Sequence, residues 1–174
     1  GFAQGRCWLC DTATGPIRPT GVGSVLREYH AFERSGAPAT LEGGYVLLTG
    51  RRLFVGHSSR TNGLGIAALQ EIAGRFGYLV TPIAVRGSLH LKTACTALPD
   101  GRLLINPAWV DDRSLAQFDL IPIPQQDTFG DNICLAGQNV LLPAAHPQPA
   151  QLLSRLGRTV QHVALSEFGL GEGG

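Results

Sequence analysis

The fold is decided by residues 45–85, which have the sequence YVLLTGRRLFVGHSSRTNGLGIAALQEIAGRFGYLVTPIAV. Apolar runs on either side of the turn at 50–52 predict a β-hairpin. A helix is predicted from about Gly63 to Phe76, because apolar residues recur there at steps of three and four and Asn62 can cap its start. Residues 78–85 are then predicted to form a third strand.

The same order of hairpin, helix and strand returns twice further along the chain. In the first return, the hairpin, short helical turn and strand are predicted at 89–98 with 103–106, at 112–118 and at 120–124. In the second, they are predicted at 133–136 with 140–142, in a helix with Pro149 in its first turn, and at 159–165. Prolines in the strand at 120–124 place it at a sheet edge.

An earlier and less regular copy precedes these units. Paired strands are predicted at 7–10 and 16–19. A helix is predicted to follow, with Ser24 as its cap, Val25, Tyr29 and Phe32 on one face and Gly36 at its end.

The glycines that are predicted to end the helices give the repeat its period. Gly36, Gly77 and Gly157 lie 41 and 80 positions apart, which is one and two steps of about 40 residues. One such unit buries too little apolar surface to stand alone, so neighbouring units must stack. We therefore predict one domain over 1–174, an α+β partial αβ-propeller. Its four units are 1–40, 41–87, 88–129 and 130–174.

Composition limits the classes of function. Charged residues make up 16% of the chain, hydrophobic residues 44%, and the formal net charge is +1. This balance is typical of a globular core and argues against a disordered chain or a nucleic-acid-binding surface. The sequence has no apolar run of about 18 residues that could span a membrane. The few, scattered cysteines favour a reducing, cytoplasmic compartment.

A polar residue precedes the first strand of three of the predicted units. These residues are Glu42, His90 and Asn132, which lie 48 and 42 positions apart. Equivalent positions of a radial array converge near its axis, so we expect the three side chains to face a small cavity. A glutamate can orient a histidine, and a histidine can move protons near neutral pH. For Asn132 we prefer a simpler role, a backbone hydrogen bond at the start of a strand.

Four strings at and near these positions resemble a known family. They are LEGG at 41–44, FVGHSSRTN at 54–62, LHLKT at 89–93 and NIC at 132–134. They resemble the dimethylarginine dimethylaminohydrolases, which belong to the pentein superfamily with arginine deiminases and amidinotransferases. The resemblance extends from about Leu41 to Gly174. It implies a five-bladed αβ-propeller and hydrolysis of a guanidino group to citrulline and an amine.

The resemblance also implies a covalent mechanism and roles for particular residues. A cysteine thiolate attacks the guanidinium carbon, and a histidine protonates the leaving amine and then activates water. His90 would be this general acid/base, and Glu42 the carboxylate that pairs with it or with the substrate. Arg60 would bind the substrate carboxylate, and Arg18 and Leu41 would complete the substrate site. The expected partner is a small guanidino compound, with no metal, cofactor, nucleic acid or membrane. A homodimer is compatible with this prediction.

Two parts of the family pattern are missing from the sequence. The family's nucleophilic cysteine follows an acidic residue and two glycines, and here Glu172-Gly173-Gly174 ends the sequence. The acidic amino-terminal motif that grips the guanidinium is absent at 2–5. We therefore expect about four of five blades, incomplete at both ends, and no turnover by this chain alone. The alternative is a catalytically inactive relative that binds arginine-like cations or a protein partner.

The candidate residues and the cysteines also have simpler explanations. His90 could be a structural histidine, Glu42 a solvated turn residue and Arg60 a surface arginine. Cys7-x-x-Cys10 has the spacing of a redox or zinc pair but lacks two further ligands nearby. Cys95 and Cys134 resemble positions that carry buried cysteines in the family. Neither follows a diglycine, so we do not predict either as the nucleophile.

Overall fold

The computed structural model describes the following residues: 2–3, 6–11, 28, 32–88, 90–123, 133–137, 139–144 and 147–164. The chain divides into two compact units, Gly1–Ala84 and Val85–Gly174. Within the described ranges, each unit contains two three-stranded sheets.

All four of these sheets follow one plan. The first two strands form an antiparallel pair, and the third strand lies parallel to the middle one. A parallel third strand requires a crossover connection, which is where each predicted unit has its helical segment. The α+β class is therefore confirmed, whereas closure into a propeller stays a prediction. Each sheet falls within one of the four ranges predicted above, although that division of one domain also stays a prediction.

The first sheet contains β1 (Phe2–Ala3), β2 (Arg6–Asp11) and β3 (Phe32–Thr40). In this sheet β2 pairs with β1 on one side, through Arg6 and Cys7, and with β3 on the other. The predicted partner strand at 16–19 lies outside the described residues.

The predicted first helix is wrong at its carboxyl end. Phe32 and Gly36 both lie in strand β3, so the step of 41 from Gly36 to Gly77 does not measure a helix-to-helix repeat. The glycine and the proline inside this strand hide it from residue propensity. The strand lies at one end of the sheet order, where a proline without an N–H group is tolerated.

The second sheet confirms the prediction from residues 45–85. It contains β4 (Val46–Thr49), β5 (Arg52–His57) and β6 (Leu79–Ala84), and helix α1 (Gly63–Gly74) connects the last two. Asn62 caps α1 as expected, because its side chain accepts a 2.8 Å hydrogen bond from the Gly65 N–H. The core between the helix and the sheet contains buried apolar residues from both: Leu41, Val46, Leu53, Val55, Ile66, Leu69, Ala73 and Val80.

The third sheet begins with a helical turn that the sequence analysis missed. Residues 89–98 were predicted as one strand, but α2 (Leu91–Ala94) precedes the short strand β7 (Cys95–Ala97). Leu91 and Ala94 are both fully buried, and their spacing of three places both on one side of a helical turn. The sheet is completed by β8 (Leu103–Ile105) and, at its edge as predicted, β9 (Leu120–Pro122).

The fourth sheet matches its predicted unit closely. Its elements, in chain order, are β10 (Cys134–Ala136), β11 (Asn139–Pro143), α3 (Pro147–Arg155) and β12 (Thr159–Val163). Gly157 ends the helix in the left-handed region with φ of 77°, as Gly77 does after α1 with φ of 73°. These two glycines therefore retain the spacing of 80 that the sequence indicated. No helix among the described residues has both the length and the apolar character of a membrane span.

Candidate functional site

Glu42 lies where the first sheet leads into the second. Leu41 follows β3 directly, and Glu42 precedes a 3₁₀ turn at Gly43–Tyr45 that enters β4. The Tyr45 N–H donates a 3.0 Å hydrogen bond to the Glu42 carbonyl oxygen. Leu41 is only 6% exposed and packs in the core, so its predicted role in substrate binding would fall to its main chain.

The Glu42 carboxylate faces the guanidinium of Arg60. The distance from Arg60 Nη1 to Glu42 Oε2 is 3.8 Å, and the two side chains are 26% and 12% exposed. Withdrawing a carboxylate from water is costly unless a positive charge lies near it. Two of the predicted site residues, both in the first unit, therefore lie together as an oppositely charged pair.

Arg60 is held by a compact loop between β5 and α1. The Ser58 hydroxyl oxygen accepts hydrogen bonds of 3.1 Å from the N–H groups of both Arg60 and Thr61. The Ser58 N–H in turn donates to the Thr61 carbonyl oxygen at 3.0 Å. Such serine-centred turns fix the backbone locally, so the position of Arg60 follows from the short sequence around it.

Thr61 joins this loop to Glu42. Its side chain is fully buried, and its hydroxyl oxygen accepts a 3.1 Å hydrogen bond from the Glu42 N–H. Thr61 was not among the site residues predicted from the sequence. Its signal was weak, because a threonine before a helix cap is common and nothing in the sequence shows its distant partner.

His90 lies in the second unit, immediately before α2. Its carbonyl oxygen accepts a 2.9 Å hydrogen bond from the Ser88 hydroxyl and a 3.2 Å bond from the Thr93 N–H. The segment before it passes tightly against Trp109. A Cβ atom on Gly87, where φ is +68°, would lie 2.8 Å from the indole Cδ1.

The remaining predicted residues are only partly covered by the structure. Arg18 and Asn132 lie outside the described residues. Cys95 is buried as expected, but Cys134 is exposed, which corrects the expectation for that position. Cys134 belongs to β10, an outer strand of its sheet, where a side chain has fewer neighbours. The described residues contain no group of three or more metal-ligating side chains.

Comparison with curated proteins gives two relatives of known name. No family model matches the chain. The chain is 30% identical over 142 residues to an N(G),N(G)-dimethylarginine dimethylaminohydrolase of Pseudomonas aeruginosa, covering 82% of the chain and 56% of that protein. It is 36% identical over 131 residues to the Streptomyces coelicolor protein of the same name, covering 75% and 50%. The chain thus spans about half the length of these relatives.

Solved structures agree with the sequence relatives. The chain matches dimethylarginine dimethylaminohydrolase from Pseudomonas aeruginosa, a cysteine-to-serine variant in complex with citrulline, with a TM-score of 0.86 and 25% identity. The match covers 99% of this chain and 69% of that one. The chain is a dimethylarginine dimethylaminohydrolase-like pentein. The resemblance found from the strings around Glu42, Arg60 and His90 is thereby confirmed.

A more distant structural neighbour shows how widely this fold is shared. The amino-terminal domain of ArgZ, an arginine dihydrolase bound to its substrate, matches with a TM-score of 0.82. It is 17% identical and covers 95% of the pentein-like chain. At that identity the match supports the fold alone.

Proposed function

We propose that this chain acts on the guanidino group of arginine or N-methylated arginine, as part of a hydrolase that yields citrulline and an amine. The observation that carries the proposal is the mostly buried Glu42 carboxylate, 3.8 Å from the Arg60 guanidinium. A carboxylate in that setting suits a planar, cationic guanidino group. The named relatives and the citrulline complex of a structural neighbour support the same class of reaction.

Each predicted residue has a role in the proposed reaction. A cysteine thiolate forms a bond to the guanidinium carbon, and the carbon–nitrogen bond breaks as His90 protonates the leaving amine. His90 then takes a proton from water, which attacks the same carbon and releases citrulline and the thiolate. Glu42 orients His90 or holds the guanidinium, and Arg60 binds the substrate carboxylate. Arg18 and the main chain of Leu41 complete the site.

The nucleophile is not assigned to any cysteine of this chain. Cys95 is fully buried in β7, and Cys134 is exposed but follows Ile133 rather than a diglycine. Cys7 and Cys10 lie in β2, far along the chain from the family's position for this residue. The 174-residue chain tested by itself is therefore expected to produce no citrulline.

A citrulline assay on three proteins tests this proposal. The proteins are the 174-residue chain, the same chain extended past Gly174 by a cysteine-bearing segment with an acidic amino-terminal motif restored, and that extended protein with His90→Gly. We expect turnover of N(G),N(G)-dimethylarginine by the extended protein alone, because loss of a nucleophile or its proton-transfer partner commonly costs several powers of ten in rate. If the short protein produces citrulline as fast as the extended one, the nucleophile is a cysteine of the 174-residue chain, and Cys95 or Cys134 must be reconsidered.

The same assay separates the alternative function. A catalytically inactive relative would bind arginine-like cations or a protein partner, and its extended form would bind dimethylarginine without producing citrulline. Calorimetric titration of each protein with dimethylarginine distinguishes this outcome from a protein that does not bind at all.

We further propose a propeller arrangement of the units, a cytoplasmic location and a homodimer. The shared plan of the four described sheets supports the first, and the small number of cysteines supports the second. The outer strand of a sheet can pair with a strand of another chain, which supports the third. A single monomeric species by light scattering at high concentration would contradict the homodimer.

A further inference from the structure

The Glu42 main chain is anchored by a side chain 19 positions later in the sequence. The Glu42 N–H donates to the Thr61 hydroxyl oxygen at 3.1 Å, and the Thr61 side chain is fully buried. The Glu42 N–H is partly buried, so removal of the hydroxyl would leave this N–H to find another partner. The hydroxyl therefore fixes where the Glu42 side chain begins.

Thr61 also fixes the second member of the pair. Arg60 precedes it directly, and the N–H groups of both residues donate to the Ser58 hydroxyl oxygen at 3.1 Å. One short loop thus carries the Arg60 guanidinium and holds the backbone of Glu42. The two charged groups that are linked in this way lie 3.8 Å apart.

The fold itself has a separate anchor next to Thr61. The Asn62 side chain accepts from the N–H groups of Thr40 at 3.1 Å and Gly65 at 2.8 Å, and donates to the Pro38 carbonyl oxygen at 2.8 Å. The Asn62 N–H also donates to the Thr40 carbonyl oxygen at 3.1 Å. These bonds join β3 to α1 without Thr61, so a Thr61 variant retains the contact that the first unit needs to fold.

We propose that Thr61 is a positioning residue whose hydroxyl sets the Glu42 carboxylate relative to the Arg60 guanidinium for a cationic guanidino ligand. The inference rests on the proposed function for its ligand, and on the hydrogen bonds above for its geometry. Thr61 does not touch the ligand in this account. Its loss should weaken recognition of a charged guanidino group more than recognition of the neutral analogue citrulline.

The test compares the unmodified 174-residue chain with Thr61→Val, Thr61→Ser and the control Thr81→Val. Valine keeps the shape of threonine without the hydroxyl, serine keeps the hydroxyl, and Thr81 is a half-buried residue of β6 in the same unit. Calorimetry measures the Kd for N(G),N(G)-dimethylarginine and for citrulline. Amide hydrogen exchange measured by NMR reports the Glu42 N–H, and the melting temperature reports folding.

Loss of the hydroxyl should weaken binding of the charged ligand more than binding of citrulline. In Thr61→Val we expect the Kd for dimethylarginine to rise about tenfold, with a clearly smaller rise for citrulline and faster exchange of the Glu42 amide. Thr61→Ser and Thr81→Val should bind both ligands as the unmodified chain does. Equal losses for both ligands in Thr61→Val, or a Thr61→Ser variant as weak as Thr61→Val, would overturn the inference.

The amide exchange keeps this inference separable from the proposed function. If neither the unmodified chain nor the extended protein binds either ligand, the proposed function fails. Faster Glu42 exchange in Thr61→Val alone would then still support the positioning contact. Unchanged Glu42 exchange in Thr61→Val would overturn it, whatever the binding results.

Discussion

The second and third sheets share one plan but differ in how much structure completes it. The strands β4, β5 and β6 have four, six and six residues, and the 12-residue helix α1 crosses between the last two. The strands β7, β8 and β9 have three residues each, and a four-residue 3₁₀ turn at Asp112–Leu115 takes the place of the helix. The hairpin and the parallel third strand therefore define the repeat, and the crossover helix does not.

The two regions also hold their candidate site residues differently. The Glu42 N–H donates to the Thr61 hydroxyl oxygen, 19 positions away, whereas the His90 carbonyl oxygen accepts from Ser88 and Thr93, two and three positions away. The second region depends on a helix packed closely on a strand. The third depends on a glycine packed closely on an indole ring. Substitutions at these close contacts should therefore distinguish the two regions.

The largest effect is expected at Gly65. A Cβ atom there would overlap the Thr40 carbonyl oxygen and lie 2.7 Å from its carbon, both rigid backbone atoms. Gly65→Ala should therefore lower the free energy of unfolding by about 3 kcal/mol, measured by urea denaturation. The control is Gly74→Ala in the same helix, where no atom lies within 4 Å and alanine should stabilise by about 0.5 kcal/mol. Similar results for both substitutions would contradict the close packing of α1 on β3.

Gly87 should give the next largest effect, in the other region. Gly87→Ala places a Cβ atom against Trp109 and also strains a backbone with φ of +68°. We expect a loss of about 2 kcal/mol by the same measurement. Gly101→Ala is the control, since its φ is +87° but no atom lies within 4 Å, and it should lose about 1 kcal/mol. Equal losses would mean that the indole contact contributes nothing beyond backbone strain.

Removal of a cap residue should also cost more stability at α1 than at the 3₁₀ turn of the third sheet. Asn62→Ala removes three side-chain hydrogen bonds that join β3 to α1 and should cost about 2 kcal/mol. Asp111→Ala removes the cap of the 3₁₀ turn, with its contacts to Arg113, and should cost clearly less than that. Urea denaturation of both variants checks the order. An Asp111 variant that is the less stable of the two would reverse the comparison.

The smallest effect concerns acid stability in the second unit. A side-chain hydrogen bond from Arg102, with further bonds from its backbone and from Arg158, holds the pKa of the Asp100 carboxyl well below its usual range. The lowered pKa contributes stability that is present above the usual value, near 3.9, and is lost as the pH falls below it. Asp100→Asn should therefore lose less stability than the unmodified chain between pH 7 and pH 3. If Asp100→Asn lost as much stability over that interval as the unmodified chain, the contacts of Asp100 with Arg102 and Arg158 would have no role in acid stability.

The elements that could be predicted from the sequence are those marked by local periodicity and turn chemistry. The helix after Asn62 and the edge strand β9 were predicted because apolar spacing, caps and prolines mark them directly. Prediction from the sequence failed for β3, where a glycine and a proline mask the strand, and for α2, which is a single turn. Glu42 and Arg60 were found as site candidates, but the Thr61 contact joins residues 19 apart and leaves no pattern in the sequence.

The affinity of the 174-residue chain for N(G),N(G)-dimethylarginine, measured with and without the Glu42 charge, decides whether Glu42 belongs to a guanidino site. Glu42→Gln keeps the shape of the side chain, and the control Glu71→Gln removes an exposed carboxylate of α1 that pairs with Arg75. The account predicts that Glu42→Gln raises the calorimetric Kd at least about tenfold, whereas Glu71→Gln leaves it unchanged. If both variants bind dimethylarginine as tightly as the unmodified chain does, Glu42 does not belong to a guanidino site.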